Sequence, residues 1–267
     1  MTKKLAGPLA LACLLAYWPH VPALAYRRTP VRNGGVISGV VRWAGAPPAL
    51  APFPVNRDGG VCDLDRSGKK TSPRLVIGRR GGVANTVVYI SNISQGKPLQ
   101  RRGLRHARKW LIRGCEYHPH VLIAPVGSYL AMRNDDPVLH NIRMFGAATY
   151  NLPMPDKGTL FVKRLPKAGK IFLRCDAGHG WMSGIIHVTE HPYYVLTDPE
   201  GKFSLADVPP GKYTVKAWHE GWKVVRVIPK DGKPTFYEFQ EPIELSREVT
   251  LPERGKVEIE FTLSEKH

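Results

Sequence analysis

The sequence lacks the features of a helical protein and the signatures of several enzyme classes. It contains 26 glycines and 24 prolines in 267 residues, and these residues interrupt helices and mark tight turns. Long helical bundles and coiled coils are therefore excluded. A glycine-rich phosphate loop and a Gly-x-Ser-x-Gly elbow are also missing. The 43% of hydrophobic residues is enough for a buried core, which excludes a wholly disordered basic protein.

Long hydrophobic runs are missing after the first residues of the chain. Lys3 and Lys4 precede an apolar run from Leu5 to Trp18, and Ala23-Leu24-Ala25 has the small-x-small pattern of a signal peptidase site. A run of this length is too short to span a bilayer, although a membrane anchor is the alternative. We predict that residues 1–25 form a signal peptide and that the mature protein occupies an extracytoplasmic compartment such as a bacterial periplasm.

Cysteine is scarce. The sequence contains Cys13, Cys62, Cys115 and Cys175, and Cys13 leaves with the predicted signal peptide. Three remaining thiols in an exported protein predict one disulfide plus one thiol with a special role, or else a bond to a partner chain.

Acidic residues are absent from one long stretch. Residues 66–115 contain thirteen Lys or Arg and no Asp or Glu, whereas residues 190–267 contain fourteen acidic and eleven basic residues. The densest part, residues 101–110, is predicted to be a basic helix or loop. Exported proteins rarely meet nucleic acid, so we expect this segment to dock an acidic protein or anionic lipid headgroups. A solvated insertion without a partner is the alternative. The candidate partner-binding residues are Arg101, Arg102, Arg105, Arg108 and Lys109.

Short segments of β-branched and aromatic residues, bounded by Gly, Pro or Asn, recur along the chain. This pattern predicts an all-β protein built from β-sandwiches. The charge balance changes sign near residue 190, where we place the boundary between a first sandwich and a smaller second one. The predicted strands are Val36–Trp43, Val87–Ile90, Val121–Ala124, Tyr129–Arg133, His140–Phe145, Thr159–Lys163, Lys170–Arg174, Gly184–Val188, Tyr193–Thr197, Phe203–Leu205, Tyr213–Trp218, Lys223–Ile228 and Val257–Leu263.

Metal-ligating residue types are concentrated between residues 134 and 182. His140 follows the stretch Asn134-Asp135-Asp136, and a second segment contains Cys175, His179 and Met182. Two imidazoles, a thiolate and a thioether are the ligand types of a mononuclear blue-copper site with a weak axial methionine. A short Cys-to-Met loop after one strand, together with a histidine from a neighbouring strand, would surround one ion.

These two segments resemble the ligand motifs of the cupredoxins, the plastocyanin-like and amicyanin-like electron carriers. The resemblance covers roughly residues 36–190, and it implies a Greek-key β-sandwich domain at residues 26–190. It also implies that Asn141 ties the first ligand strand to the cysteine loop by hydrogen bonds. The implied copper ligands are His140, Cys175 and His179 in equatorial positions and Met182 in the axial position.

The spacing of the cysteine loop departs from that of many small carriers. Three residues separate Cys175 from His179, which is similar to the second half of the binuclear copper loop in cytochrome oxidase subunit II. Ile171 stands where that loop has another cysteine, so we expect a mononuclear site. The alternatives are zinc, which seldom takes a methionine ligand, and ordinary core residues that bind no metal.

Cys62 and Cys115 lie outside the ligand loop. An oxidising compartment predicts a disulfide between them, which would withhold both thiols from copper. The alternative is that one of them joins a second metal site with His118 or His120.

The segment 191–267 resembles the carboxypeptidase regulatory-like, or transthyretin-like, β-sandwich. The resemblance rests on Thr197-Asp198-Pro199-Glu200-Gly201 and on the turn Pro209-Pro210-Gly211 followed by Lys212-Tyr213. It implies a structural or adhesive module. A carbohydrate-binding module is a further alternative, by analogy of fold alone.

These features predict an exported mononuclear copper protein that transfers electrons and is not an enzyme. Its expected partner is an acidic redox protein, a cytochrome or an oxidoreductase, attracted to the basic segment. The alternative function is copper binding or delivery without a redox cycle.

Overall fold

The structure is a computed structural model that describes residues 26–101, 103–230 and 232–267. The predicted signal peptide and Arg102 lie outside the described residues.

The described helices are short: α1 (Gly59–Cys62) and a 3-10 helix at Leu104–His106. No helix in the described ranges has the length and apolar character needed to cross a membrane. The strands are β1 (Arg27–Arg28), β2 (Gly35–Ala44), β3 (Phe53–Pro54), β4 (Lys69–Lys70), β5 (Val87–Ile90), β6 (Gln95–Gly96), β7 (Arg108–Arg113), β8 (Glu116–His118), β9 (Val121–Pro125), β10 (Tyr129–Asn134), β11 (His140–Gly146), β12 (Tyr150–Met154), β13 (Leu160–Arg164), β14 (Gly169–Arg174), β15 (Ser183–Thr189), β16 (Tyr194–Leu196), β17 (Lys202–Val208), β18 (Gly211–His219), β19 (Val224–Lys230), β20 (Lys233–Phe239), β21 (Ile243–Leu251) and β22 (Lys256–Ser264).

The larger sheets form two β-sandwiches, and the predicted all-β fold is confirmed. In the first sandwich, the sheet β13-β10-β7-β8 faces the sheet β12-β11-β14-β15-β9. In the second sandwich, the sheet β16-β5-β18-β21 faces the sheet β17-β2-β22. Three further pairs, β1-β6, β3-β4 and β19-β20, lie outside these sheets.

The core of the first sandwich follows the two-residue period of its strands. On β7, Trp110 and Ile112 are buried, and on β11, Ile142 and Met144 are buried in the same cluster. Alternate residues of a strand point to one face of its sheet. His140 has the inward register of Ile142 and Met144, so the strand itself directs this imidazole into the end of the core.

The expected domain composition differs from the observed sheets. β2 and β5 precede residue 190, yet β2 pairs with β17 and β22, and β5 pairs with β16 and β18. All strands of the first sandwich lie between Arg108 and Thr189. An alternating strand specifies which face is buried but not which strand is its partner, so sequence proximity assigned β2 and β5 to the wrong sandwich.

The predicted helix or loop at residues 101–110 is wrong for its second half. The chain forms the 3-10 helix and then enters β7, because Trp110 and Ile112 alternate with outward-facing residues. Every predicted strand is present, with ends that shift by up to three residues. The prediction omitted β7, β8, β12, β20 and β21 and the two-residue strands β1, β3, β4 and β6.

The two sandwiches pack against each other through a small apolar cluster. Val121 and Ile185, from the outer face of the five-stranded sheet, contact Val87 and Trp218 of the second sandwich. The strands β9 and β15 of the first sandwich are thereby held against the second sandwich.

Candidate metal centre

The candidate ligands come from two neighbouring strands and the loop that follows the second of them. His140 is the first residue of β11, and Cys175 follows β14 directly. The antiparallel pairing of β11 with β14 brings these two residues to the same end of the sheet. His179 and Met182 lie in the loop before β15, where the Met182 N–H donates to the His179 carbonyl oxygen at 3.0 Å.

The structure brings the two imidazoles and the thiol together. The Cys175 Sγ lies 3.6 Å from the His179 Nδ1, and the ring centroids of His140 and His179 are 4.6 Å apart. One potential ligand atom from each of these three residues lies within 4.8 Å of the other two. Met182 belongs to the same buried cluster as Cys175. The exposed fraction of each of the four residues is 2% or less.

A carboxylate holds the outer nitrogen of each imidazole. The His140 Nε2 lies 3.0 Å from the Asp136 Oδ2, and the His179 Nε2 lies 2.9 Å from the Asp58 Oδ2. An imidazole that donates its Nε2–H to a carboxylate has its free lone pair on Nδ1. The His140 Nδ1 is buried without a hydrogen-bond partner, so this arrangement leaves a lone pair directed into the cluster.

The surroundings of His179 favour the neutral imidazole that a metal requires. Burial and the neighbouring His140 lower the pKa of His179 to about 4, although Asp58 acts in the opposite direction. Near neutral pH the ring is therefore uncharged. A neutral ring offers its lone pair without first losing a proton.

The surroundings of Cys175 are apolar but contain donors for a thiolate. Burial raises the pKa of the Cys175 thiol, and the backbone N–H groups of Ala177, Asn141 and His179 oppose this shift. The Asn141 N–H lies 3.4 Å from the Cys175 Sγ. A cation bound at this sulfur would stabilise the thiolate further, because it offsets the cost of burying the charge.

Asn141 links the strand that carries His140 to the cysteine loop. In addition to its backbone contact with Cys175, its Oδ1 accepts a hydrogen bond from the Asp176 N–H at 3.4 Å. Its Nδ2 donates to the Asn151 Oδ1 on β12 at 2.6 Å. The side chain therefore lies between the two segments that carry the candidate ligands.

Sequence reasoning missed both carboxylates. Asp136 accepts hydrogen bonds from the backbone N–H groups of Gly114 and Cys115 at 2.7 and 2.8 Å. Burial acts to raise the pKa of Asp136, but its hydrogen bonds with His140, Cys115 and Gly114 outweigh burial and leave the pKa lowered. Its place four residues before His140 was a usable signal. Asp58 is 121 residues from His179, and no local pattern marks it.

The Cys62–Cys115 disulfide is formed, and it anchors the segment that carries Asp58. Asp58 immediately precedes α1, and Cys62 is the last residue of that helix. On the other side, the Cys115 carbonyl accepts a hydrogen bond from the Trp181 Nε1 at 2.9 Å. The Trp181 ring in turn packs edge-on against His179.

The predicted partner-binding residues Arg101, Arg102, Arg105, Arg108 and Lys109 are called the basic cluster below. Its described part lies at the opposite end of β7 from the candidate metal centre. β7 begins at Arg108 and ends at Arg113, whose guanidinium lies 3.3 Å from Asp135 in the turn before His140. At about 3.3 Å per residue, the strand separates its two ends by about 17 Å. Arg101, Arg105 and Lys109 are exposed, and Arg108 is partly buried.

The structure does not support a second site built on His118 or His120. The exposed His118 Nε2 lies 3.2 Å from the Arg113 carbonyl. His120 pairs with Glu220, which also lies 2.8 Å from Arg74. This buried ionic cluster lies between the sandwiches and is separate from the disulfide sulfurs.

Comparisons with known proteins give partial likenesses. Residues 188–228 match the family described as the second beta sandwich domain of the BOS complex subunit NOMO1-like. A search of curated proteins finds no match. A purple cupredoxin from Nitrosopumilus maritimus is 25% identical, with 31% of this chain and 99% of that chain covered and a TM-score of 0.28. A copper-containing nitrite reductase from Thermus scotoductus is 22% identical. The match covers 37% of this chain and 26% of the reductase chain, with a TM-score of 0.31. A variant of amicyanin is 24% identical, and that match covers 32% of this chain and 85% of the amicyanin chain, with a TM-score of 0.29.

Proposed function

We propose that this protein binds one copper ion through His140, Cys175, His179 and Met182 and carries electrons. The observation that carries the proposal is the convergence of two imidazoles and one thiol in a buried cluster. Both imidazoles are held by carboxylates at Nε2. The likenesses to copper proteins cover about a third of the chain, and the proposal rests on the site's own geometry.

The residues of the cluster fit copper. The unpartnered Nδ1 of His140 is a buried polar atom, and such an atom is costly unless something binds to it. Thiolate and thioether sulfurs favour Cu(I), whereas imidazole accepts both oxidation states. Bound copper would supply a one-electron couple between Cu(II) and Cu(I). Zinc is the weaker candidate because a buried methionine adds little to its preferred ligand set.

The protein's own groups keep the donors in place. Asp136 and Asp58 fix the orientation of the two rings, and Asn141 joins the strands on which His140 and Cys175 stand. Donors held in this way cannot follow the different geometries that the two oxidation states prefer. A fixed geometry lowers the rearrangement that accompanies each electron transfer, which suits a carrier.

Burial of the donors favours electron transfer over metal delivery. All four candidate ligands are at most 2% exposed, and the Asp58 segment covers His179. A delivery protein must let the ligands of an acceptor reach the metal, whereas an electron can leave without such contact. The two carboxylates at the site are engaged by the imidazoles, so neither is placed for acid–base catalysis, and we propose no enzymatic turnover.

We further propose an extracytoplasmic location and an acidic redox partner. The Cys62–Cys115 disulfide supports an oxidising compartment. The basic cluster lies away from the metal centre, so its proposed role is to steer the approach of an acidic cytochrome or oxidoreductase rather than to conduct electrons.

A visible spectrum and a reduction potential of the copper-loaded protein test this function. We expect one copper per chain, an intense band from the thiolate bound to Cu(II), and a reversible one-electron couple. The Cys175→Ser variant should lose the band. A band that persists in Cys175→Ser would refute the site, and an irreversible couple would refute the carrier function.

A further inference from the structure

The Cys62–Cys115 disulfide lies against the candidate metal centre. The two cystine sulfurs and one imidazole nitrogen of His179 all lie within 4.8 Å of one another. The Cys115 sulfur, a carboxylate oxygen of Asp136 and an imidazole nitrogen of His140 form a second group of the same size. The bond thus stands beside both candidate imidazole ligands, with its two cysteines fully buried.

The bond alone keeps these sulfurs from acting as strong ligands. A cystine sulfur is a weak donor, whereas the thiolate of a reduced cysteine is a soft, strong ligand that suits Cu(I). Two donors on one ion, each bound at about 2.3 Å, are at most about 4.6 Å apart. The separations among Cys62, Cys115 and His179 are already near this range, so small side-chain rotations would bring the three donors around one ion.

We propose that reduction of this disulfide opens a second metal site, in which Cys62, Cys115 and His179 bind Cu(I). A dithiol reductant supplies two electrons and two protons: the S–S bond breaks, two thiols form, and the reductant becomes a disulfide. Binding of Cu(I) then releases the two thiol protons. The second site uses neither Cys175 nor Met182, so it does not depend on the proposed electron-carrier function.

The second site shares one residue with the first. His179 belongs to the group with Cys175 and His140 and also to the group with the cystine sulfurs. The neutral His179 ring, whose Nε2 is held by Asp58, has one free lone pair, so it can serve only one ion at a time. Reduction would therefore offer Cu(I) an alternative position beside the first site, and the redox state of Cys62 and Cys115 would set which group of donors holds the ion.

The test uses Cys175→Ser, in which the thiolate of the first site is removed. The variant is compared in its oxidised form and after reduction with a water-soluble phosphine, which is oxidised to its phosphine oxide. The reductant is removed without oxygen, and two free thiols are verified by a thiol assay. Both forms are titrated with Cu(I) in competition with bathocuproine disulfonate. We expect the reduced form to retain one Cu(I) per chain against the chelator and the oxidised form to retain less.

Two further variants make the result specific. Adding Cys62→Ser and Cys115→Ser to Cys175→Ser should abolish the reductant-dependent copper. Adding His179→Gln to the reduced Cys175→Ser protein should weaken its Cu(I) binding at least tenfold. Equal copper content in oxidised and reduced Cys175→Ser would overturn the proposal. A Cu(I) affinity that does not change on His179→Gln would also overturn it, because an unfolded chain with two free thiols would behave in that way. The spectrum of the oxidised wild-type protein tests the first site separately.

Discussion

Asp58 offers the sharpest test of how the candidate metal centre is held. Its Oδ2 lies 2.9 Å from the His179 Nε2, and Arg57 lies 3.4 Å from the same oxygen. Asp58 adopts a left-handed backbone conformation, with φ at 48°, and its side chain does not cap α1. Asparagine tolerates this conformation well. Asp58→Asn therefore removes the charge with little effect on the backbone.

The expected loss follows from the exposure of the carboxylate. Replacing a carboxylate that orients a ligand histidine costs 10- to 100-fold in metal affinity in typical sites. The Asp58 side chain is 32% exposed, and water and Arg57 therefore screen its charge. We expect a loss near the lower end of this range, about tenfold or about 1.4 kcal/mol. Asp136 is 7% exposed at its side chain and holds two backbone N–H groups, so Asp136→Asn should lose more.

Copper affinity measured by chelator competition, together with the reduction potential, provides the assay. Asp65→Asn is the matched control. Asp65 lies seven residues after Asp58 in the chain, and its carboxylate accepts a hydrogen bond from the Ser67 N–H and not from an imidazole. Copper affinities of Asp58→Asn and Asp65→Asn that agree within twofold, with equal potentials, would show that Asp58 does not position His179.

Three further predictions address the axial ligand, the basic cluster and a buried histidine. Met182→Gln should keep one copper and lower its reduction potential, because an amide oxygen favours Cu(II); an unchanged potential removes Met182 from the ligand set. Replacing the exposed residues Arg101, Arg105 and Lys109 by glutamate should slow association with an acidic redox protein and reduce the salt dependence of the association rate, while the copper spectrum stays unchanged. Association rates that respond neither to the charge reversal nor to salt would refute steering. Burial, assisted by Lys170, lowers the pKa of His187 to about 3, so the unfolded chain binds a proton below about pH 6.5 that the folded protein excludes. The free energy of unfolding of each metal-free protein is measured with denaturant at pH 7 and at pH 5. Wild type should lose about 2 kcal/mol more than His187→Leu over this interval. Equal losses in the two proteins would contradict this prediction.

The strands were predictable because each one carries a local signal. The alternation of Ile142 and Met144 with outward residues marks β11 in the sequence as clearly as in the structure. The proximity of the candidate ligands Cys175, His179 and Met182 was also predictable, since they lie within one loop. A local pattern does not specify which strands pair across long stretches of chain. For this reason the sequence predicted β2, β17 and β22 as strands but did not predict that they pair with one another.

The carboxylates of the candidate site show the same limit on a smaller scale. Asp136 was visible in the segment that ends at His140, but its orientation depends on the N–H groups of Gly114 and Cys115 in another turn. Asp58 reaches His179 from a distant segment, which the Cys62–Cys115 bond and the Lys70–Glu116 ion pair join to the first sandwich. Non-local contacts of this kind become visible once the fold is known.

The residues beyond 190 form part of the wall of the candidate metal centre. A Cβ at Gly180, in the ligand loop, would collide with the carbonyl oxygen of Thr235 on β20. Tyr237, also on β20, packs against Phe53 with ring centroids 4.6 Å apart, and Phe53 belongs to the core cluster that contains Cys175. The β19-β20 pair thus covers both the ligand loop and the segment that carries Asp58. The centre therefore relies for its enclosure on the β19-β20 pair from beyond residue 190, and its candidate ligands alone do not define it.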